Sequence, residues 1–198
     1  MATDSRDVTD RVAALVQAGR IAEAAQIHLA AGKSRYQAKQ FREAEAHLRS
    51  AVGLRSDSAE ARFLLARSLA YLDRPEEAEA ELTAALTLRP GWQEAHFFLG
   101  GSFFARRMYG EAVPHLFRAI ALNPGWARAH LALGRTLFRL ERYAEADSIL
   151  NLAVALEPGH AKKVEYLHFT LTAERLAAFL DRPPARDAVG GRPGLTAP

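Results

Sequence analysis

The sequence predicts an all-α fold, a solenoid of antiparallel helix pairs, and three observations predict it. The first is recurrence. Leu65, Leu99 and Leu133 stand 34 residues apart, and so do Ala78, Ala112 and Ala146, Leu82, Leu116 and Leu150, and Pro90, Pro124 and Pro158. A fixed period of that length belongs to stacked helical units, none of which can bury its apolar face alone. The second is local spacing: within one unit Leu131, Leu133, Leu137 and Leu140 form the apolar stripe of a helix. The third is punctuation. Pro90-Gly91, Pro124-Gly125 and Pro158-Gly159 close successive units, the proline ending a helix and the glycine permitting a tight reversal.

Residues 1–20 are expected to be a tail and a short helix. Met1 to Asp7 is polar and reads as a frayed end, whereas Val8, Val12, Leu15 and Val16 mark one helical face. Gly19-Arg20 breaks it. The array proper is expected over residues 21–160, with repeats at about 25–58, 59–92, 93–126 and 127–160. Ile21-Ala-Glu-Ala resembles the later openings Phe41-Arg-Glu-Ala and Tyr143-Ala-Glu-Ala, yet Ala24 and Ala44 are only 20 residues apart. Residues 21–39 are therefore read as one longer helix serving both neighbours, with Gly32 the place for a bend. The first repeat is degenerate, with Ser56 standing where proline closes the others.

In the later repeats the first helices are expected at about 59–72, 93–106 and 127–140, and the second helices after Arg74-Pro75, Met108-Tyr109 and Arg142-Tyr143. Pro75 suits a first helical turn, where its missing N–H has no partner to lose. Gly100, Gly134 and Ala66 are expected where the two helices of a repeat cross closely, facing Ala112, Ala146 and Ala78. Residues 161–180, with Val164, Leu167, Leu171, Leu176 and Leu180, are expected to form a helix capping the last repeat's open apolar face. Residues 181–198, rich in proline and glycine, are expected to be a disordered tail.

Composition narrows the function. A hydrophobic share of 49% supports a real core, and 25% charged residues fit neither a fibrous nor a disordered chain. The net charge of +3 is mild and dispersed, so no nucleic acid partner is expected. There is no cysteine, which removes thiolate chemistry. The most apolar window, Ala95 to Ala105, falls well short of the ~18 residues of a membrane span. The expectation is a soluble, cytoplasmic protein with no membrane partner.

No Gly-rich phosphate loop, Gly-x-Ser-x-Gly turn or His-Glu-x-x-His pair occurs, so no enzyme activity and no cofactor are expected. His28, His96 and His130 share one column of the period. A metal needs imidazoles about 2 Å from one ion, and neighbouring repeats lie about 10 Å apart, so packed histidines are expected and no metal. Trp92 and Trp126 are read as staples between repeats. Glu76, Glu77, Glu79 and Glu81 are read as a solvated helix face, and Arg106-Arg107 as a solvated turn.

Leu99-Gly100, Phe103, Ala112, Leu116, Ala119 and Pro124, with their counterparts 34 residues away, make the chain resemble the tetratricopeptide repeat family over about residues 21–160. The resemblance implies a right-handed α–α superhelix acting as a non-enzymatic scaffold or adaptor. Its concave face, lined by the first helices, would hold a peptide or partner segment. Carried over by column, the groove rows are Leu29, Phe63, Phe97, Leu131; Lys33, Arg67, Gly101, Arg135; Tyr36, Ala70, Phe104, Phe138; and Gln37, Tyr71, Ala105, Arg139. The site expected from them comprises Phe63, Arg67, Tyr71, Phe97, Gly101, Phe104, Leu131, Arg135, Phe138 and Arg139.

Such a groove is aromatic with a basic seam and suits a partner carrying acidic and aromatic or apolar residues. Gly101 should leave a notch between Arg67 and Arg135, walled by Phe97 and Phe104. The rings of Phe97, Phe104 and Phe138 are expected to be exposed, because the apolar stripe is wider than one buried face needs. The chaperone-tail clamp of some relatives is not expected. Its Lys and Asn columns hold Phe63, Phe97 and Leu131, with Leu64, Phe98 and Ala132 beside them. The family also includes accessory or regulatory subunits of glycosyl- and sulfotransferases and secretion or assembly chaperones, which stand as the alternative reading. A homo-oligomer joined through the N-terminal face Val8–Val16 is a third.

Overall fold

The computed structural model describes residues 3–160. They form α1 (Thr3–Gln17), α2 (Ile21–Gln37), α3 (Phe41–Leu54), α4 (Ala59–Tyr71), α5 (Pro75–Leu88), α6 (Gln93–Ala105), α7 (Tyr109–Leu122), α8 (Ala127–Arg139) and α9 (Tyr143–Leu156), then a short 3-10 turn, Pro158–His160. No strand occurs among the described residues. The closest packing is within the pairs α2/α3, α4/α5, α6/α7 and α8/α9, and each pair stacks on the next. The first helices α2, α4, α6 and α8 also touch one another in succession, so they line the inner face. The capping helix expected at 161–180 and the tail expected at 181–198 lie outside the described residues.

Two expectations at the N-terminal end need correction. Residues 3–7 belong to α1 rather than to a frayed end. Gly32 does not interrupt α2, which runs unbroken from Ile21 to Gln37. It is buried, and a Cβ there would lie 2.6 Å from Leu48 Cγ, so this glycine serves close packing.

The same device recurs at Gly100 and Gly134, where an added Cβ would lie 2.7 Å from Leu116 Cγ and 2.6 Å from a Leu150 methyl. The nearest neighbours of these glycines are thus the leucines of the second helix, with the carbonyl oxygens of Ala112 and Ala146 next at 3.2 and 3.5 Å. Leu48, Leu116 and Leu150 are fully buried in consequence.

Each pair is joined by a three-residue turn whose middle residue takes a left-handed backbone: Lys39, Asp73, Arg107 and Glu141, at φ of 59–61°. The N–H three residues past each helix bonds back across the turn, as in Gln40 to Arg35, Arg74 to Leu69, Met108 to Phe103 and Arg142 to Leu137, at 2.9–3.0 Å. This is the Schellman closure of a helix C-terminus. Gly19, at φ 71°, makes the α1–α2 turn in the same way, with Arg20 N–H bonded to the Leu15 carbonyl. The other four turns bear a side chain where left-handed backbone costs an L-residue roughly 1–2 kcal/mol. Replacing Lys39 or Glu141 with glycine should therefore raise stability by about 0.5–1 kcal/mol each, net of the freer unfolded chain. Urea unfolding checks this; a loss of stability at both sites would refute it.

The acidic face of α5 is not merely solvated. Glu77 binds Arg49 at 2.8 Å and Arg74 at 2.6 Å, and Glu45 completes the set through both arginines. Glu79 accepts from Ser102 and Arg106, and Glu81 pairs with Arg62 at 2.8 Å. Arg106, expected to be solvated, thus ties α6 to α5. Helix surfaces that look free on one helix meet opposite charge on the neighbouring helix, and joined pairs of this kind contribute more than isolated surface pairs do. No helix among the described residues is long and apolar enough to cross a membrane.

Candidate functional site: a groove opened at Gly101

The inner face is built by α2, α4, α6 and α8, and the stacking decides which of its side chains reach the groove. Tyr71, Gly101, Arg135 and Arg139 are exposed, and Arg67, Phe97, Phe104 and Leu131 are half-buried. Phe63 and Phe138 are not groove residues: they are 7% and 9% exposed. The reason is local cover. Trp92 lies against Phe63 with ring centroids 4.4 Å apart, and Phe98 reaches it from the other side at 5.6 Å. Tyr143 stands edge-on to Phe138 at 5.7 Å. The expectation that Phe138 would present an open ring is corrected accordingly.

Trp92 and Trp126 each precede a first helix and pack back on the preceding one, Trp126 meeting Phe97 at 4.6 Å. Phe97 also meets Phe98 at 5.5 Å and the Arg128 guanidinium at 5.8 Å, and it stays half-buried.

The basic seam is held in place by aromatic rings. The Arg67 guanidinium carbon lies 4.5 Å from the Phe98 centroid and 4.8 Å from that of Tyr36. Arg135 lies over Phe104 at 5.3 Å, and Arg139 over Tyr109 at 5.9 Å. Cation–π contact of this kind orients a guanidinium and leaves its N–H edge available. Arg67 Nε is buried without a hydrogen-bond partner, a group that gains by meeting an acceptor. Burial pushes the Tyr36 hydroxyl up from its usual range, against the opposing pull of the adjacent Arg67. Tyr71 stacks on Phe41 at 4.2 Å, nearly parallel, which fixes the exposed ring at the groove's N-terminal end.

Gly101 opens the groove. A Cβ built on it would meet nothing within 4 Å. On one side the space descends between α4 and α6 to α5, a cavity of about 360 Å³ bordered by Arg67, Phe97, Phe98 and Ser102. On the other a cavity of about 150 Å³ runs between α6 and α8 to Leu116, bordered by Phe104, Ala132 and Arg135. The single expected notch is thus two, with Phe97 lining the first and Phe104 the second. Each carries one arginine of the Gly101 column. Phe98 and Ser102 were not among the expected site residues; their signal was adjacency to Phe97 and Gly101 in the sequence, which a column reading passes over. Among the described residues no group of three or more potential metal ligands occurs.

The comparisons with known proteins agree with this geometry. Residues 35–97 and 103–167 match the family described as tetratricopeptide repeat. Among solved structures, the crystal structure of MamA has a TM-score of 0.66 at 24% identity, over 70% of this chain and 81% of that one. The MamA segment from residue 41 to the end, from Desulfovibrio magneticus RS-1, has a TM-score of 0.66 at 21% identity, over 83% and 97%. YrrB, described as a TPR protein with an unusual peptide-binding site, has a TM-score of 0.62 at 22% identity, over 79% and 90%. At these identities the likeness is one of fold. No curated protein matches the sequence. The 34-residue recurrence, the four stacked helix pairs and a family match over more than half the chain lead to one conclusion: this protein belongs to the tetratricopeptide repeat family.

Proposed function

We propose that the protein is a non-catalytic interaction scaffold that holds an extended acidic segment of a partner protein along its inner face. The observation that carries this reading is the pair of cavities beside Gly101, each bordered by an arginine already braced on an aromatic ring. A carboxylate reaching Arg67 or Arg135 gains charge-assisted hydrogen bonds, and its neighbours along the segment have apolar walls at Phe97 and Phe104 to fill. The peptide-binding description of the YrrB structure supports the same use of the fold.

Fluorescence anisotropy with labelled peptides that alternate Asp or Glu with Phe or Leu tests it. Binding should weaken with added salt, as exposed charge pairs do, and Arg135→Glu should lower affinity at least about tenfold, the loss of one charge-assisted contact. Equal binding of the neutral Asn/Gln versions, or an unchanged affinity in Arg135→Glu, would remove the basis of the reading.

A further inference from the structure

Away from the groove, one pair of columns behaves differently from repeat to repeat. Positions 28, 62, 96 and 130 on the first helices face positions 47, 81, 115 and 149 on the second. In the second repeat the facing residues are Arg62 and Glu81, paired at 2.8 Å. In the first and third they are two histidines: His28 and His47 with Nδ1 atoms 3.1 Å apart, His96 and His115 at 3.2 Å. In the fourth, Ile149 offers no polar group, and His130 Nδ1 lies 3.1 Å from the Trp126 carbonyl of its own helix start. The same place in the fold is thus clasped by an ion pair in one repeat and by imidazole pairs in its two neighbours.

The proton inventory of the third-repeat clasp follows from its contacts. His96 Nε2 lies 3.0 Å from the Pro90 carbonyl, an acceptor, so Nε2 carries the proton. In neutral His96 the other nitrogen, Nδ1, is then a bare acceptor, and His115 Nδ1–H donates to it. His115 can take a second proton on Nε2 and keep the bond. A second charge on the pair, whichever ring takes the first, puts a proton on both Nδ1 atoms, which sets two N–H groups against each other and breaks the clasp.

We propose that the two histidine pairs are proton-sensitive clasps between the helices of the first and third repeats, where the second repeat holds the Arg62–Glu81 ion pair instead. Burial first, and then the partner histidine, hold His28 and His115 below the usual histidine range. For these two histidines no carboxylate is among the causes, and on the same two columns Arg62 and Glu81 pair with each other. Where the folded state resists protonation, the unfolded chain binds more protons as pH falls. The clasps' contribution is therefore complete above about pH 6.5, the ordinary histidine value, and is lost as pH falls below it. Because α6 also carries Gly101, opening of the His96–His115 clasp would distort the groove on acidification. That consequence rests on the proposed function, whereas the tests below do not.

Transplanting the second repeat's clasp provides the comparison: His28→Arg with His47→Glu, and His96→Arg with His115→Glu, in the full chain, with EDTA present so that no trace metal bridges the imidazoles. Between pH 7.5 and 5.5 the wild type should lose about 4 °C or more of melting temperature beyond the loss in the transplanted variant. Equal losses overturn the proposal. Should the variant not fold, nitrogen-15 NMR titration of the wild-type histidines decides. His28 and His115 should titrate below the ordinary value. Six or more histidines titrating alike at the ordinary value would overturn it equally.

Discussion

Glutamine in place of Gly101 is expected to abolish peptide capture while making the protein more stable. Gly101 lies inside α6, where glycine costs about 0.5–1 kcal/mol relative to a residue with a side chain. An added Cβ there meets no atom within 4 Å, so the helix gains without a clash. The new side chain enters the space between Arg67 and Arg135 and obstructs both cavities that a bound segment would fill. A loss of affinity of at least about tenfold, beside a stability gain of up to about 1 kcal/mol in urea unfolding, is the expected result. The opposite signs matter. Alanine at Phe97 or Phe104 would remove contacts with Trp126 or Tyr109 as well, so it confounds folding with binding. Undiminished binding by a stably folded Gly101→Gln protein would show that the partner does not use this face.

Leu116→Ala is expected to cost about 2–5 kcal/mol, the range for a fully buried leucine truncated in a tight core. Leu116 is 0% exposed and lies directly over Gly100. Gly100→Ala alone should cost about 1 kcal/mol, the low end for overpacking, because Ala66 with Leu82 occupies the same columns in the second repeat without disruption. Together the two changes should cost less than their sum by about 0.5 kcal/mol or more, since the methyl added at position 100 fills space vacated at 116. Strict additivity in the double-mutant cycle would mean that the glycine is not there to admit the leucine. In a solenoid each repeat contacts only its neighbours, so the loss should appear first in α6 and α7 by hydrogen exchange.

How much was legible in the sequence depends on the range of the interaction. The helix pairs, their boundaries and the small-residue crossings could be read from residues such as Leu99, Gly100, Ala112 and Pro124, because each fixes contacts inside one repeat or with the next. The openness of the groove at Gly101 was legible too, since a missing side chain in a column of long ones leaves space wherever the column stands. The fate of the aromatic rings was not. Phe63 and Phe97 occupy one column, yet Phe63 is enclosed by both Trp92 and Phe98, whereas Phe97 is only half-covered. Column position specifies a direction and says nothing of what arrives from the adjacent helix.

The charged faces teach the same lesson. Glu77, Glu79 and Glu81 have the spacing of a solvated surface, and only the packed neighbours supply Arg49, Arg106 and Arg62. The histidines were read down a single column, where about 10 Å separates repeats, and the pairing runs across to the other helix instead. By itself, then, the sequence determined the architecture: a repeated set of small and large residues stacks helix pairs because no pair can bury its apolar face alone. The tertiary structure alone decided which rings close over the core, which arginines stay at the groove and which histidines meet. Most of those outcomes depend on side chains 19 to 35 residues apart in the chain meeting across helices, as His96 with His115 and Phe63 with Phe98 do.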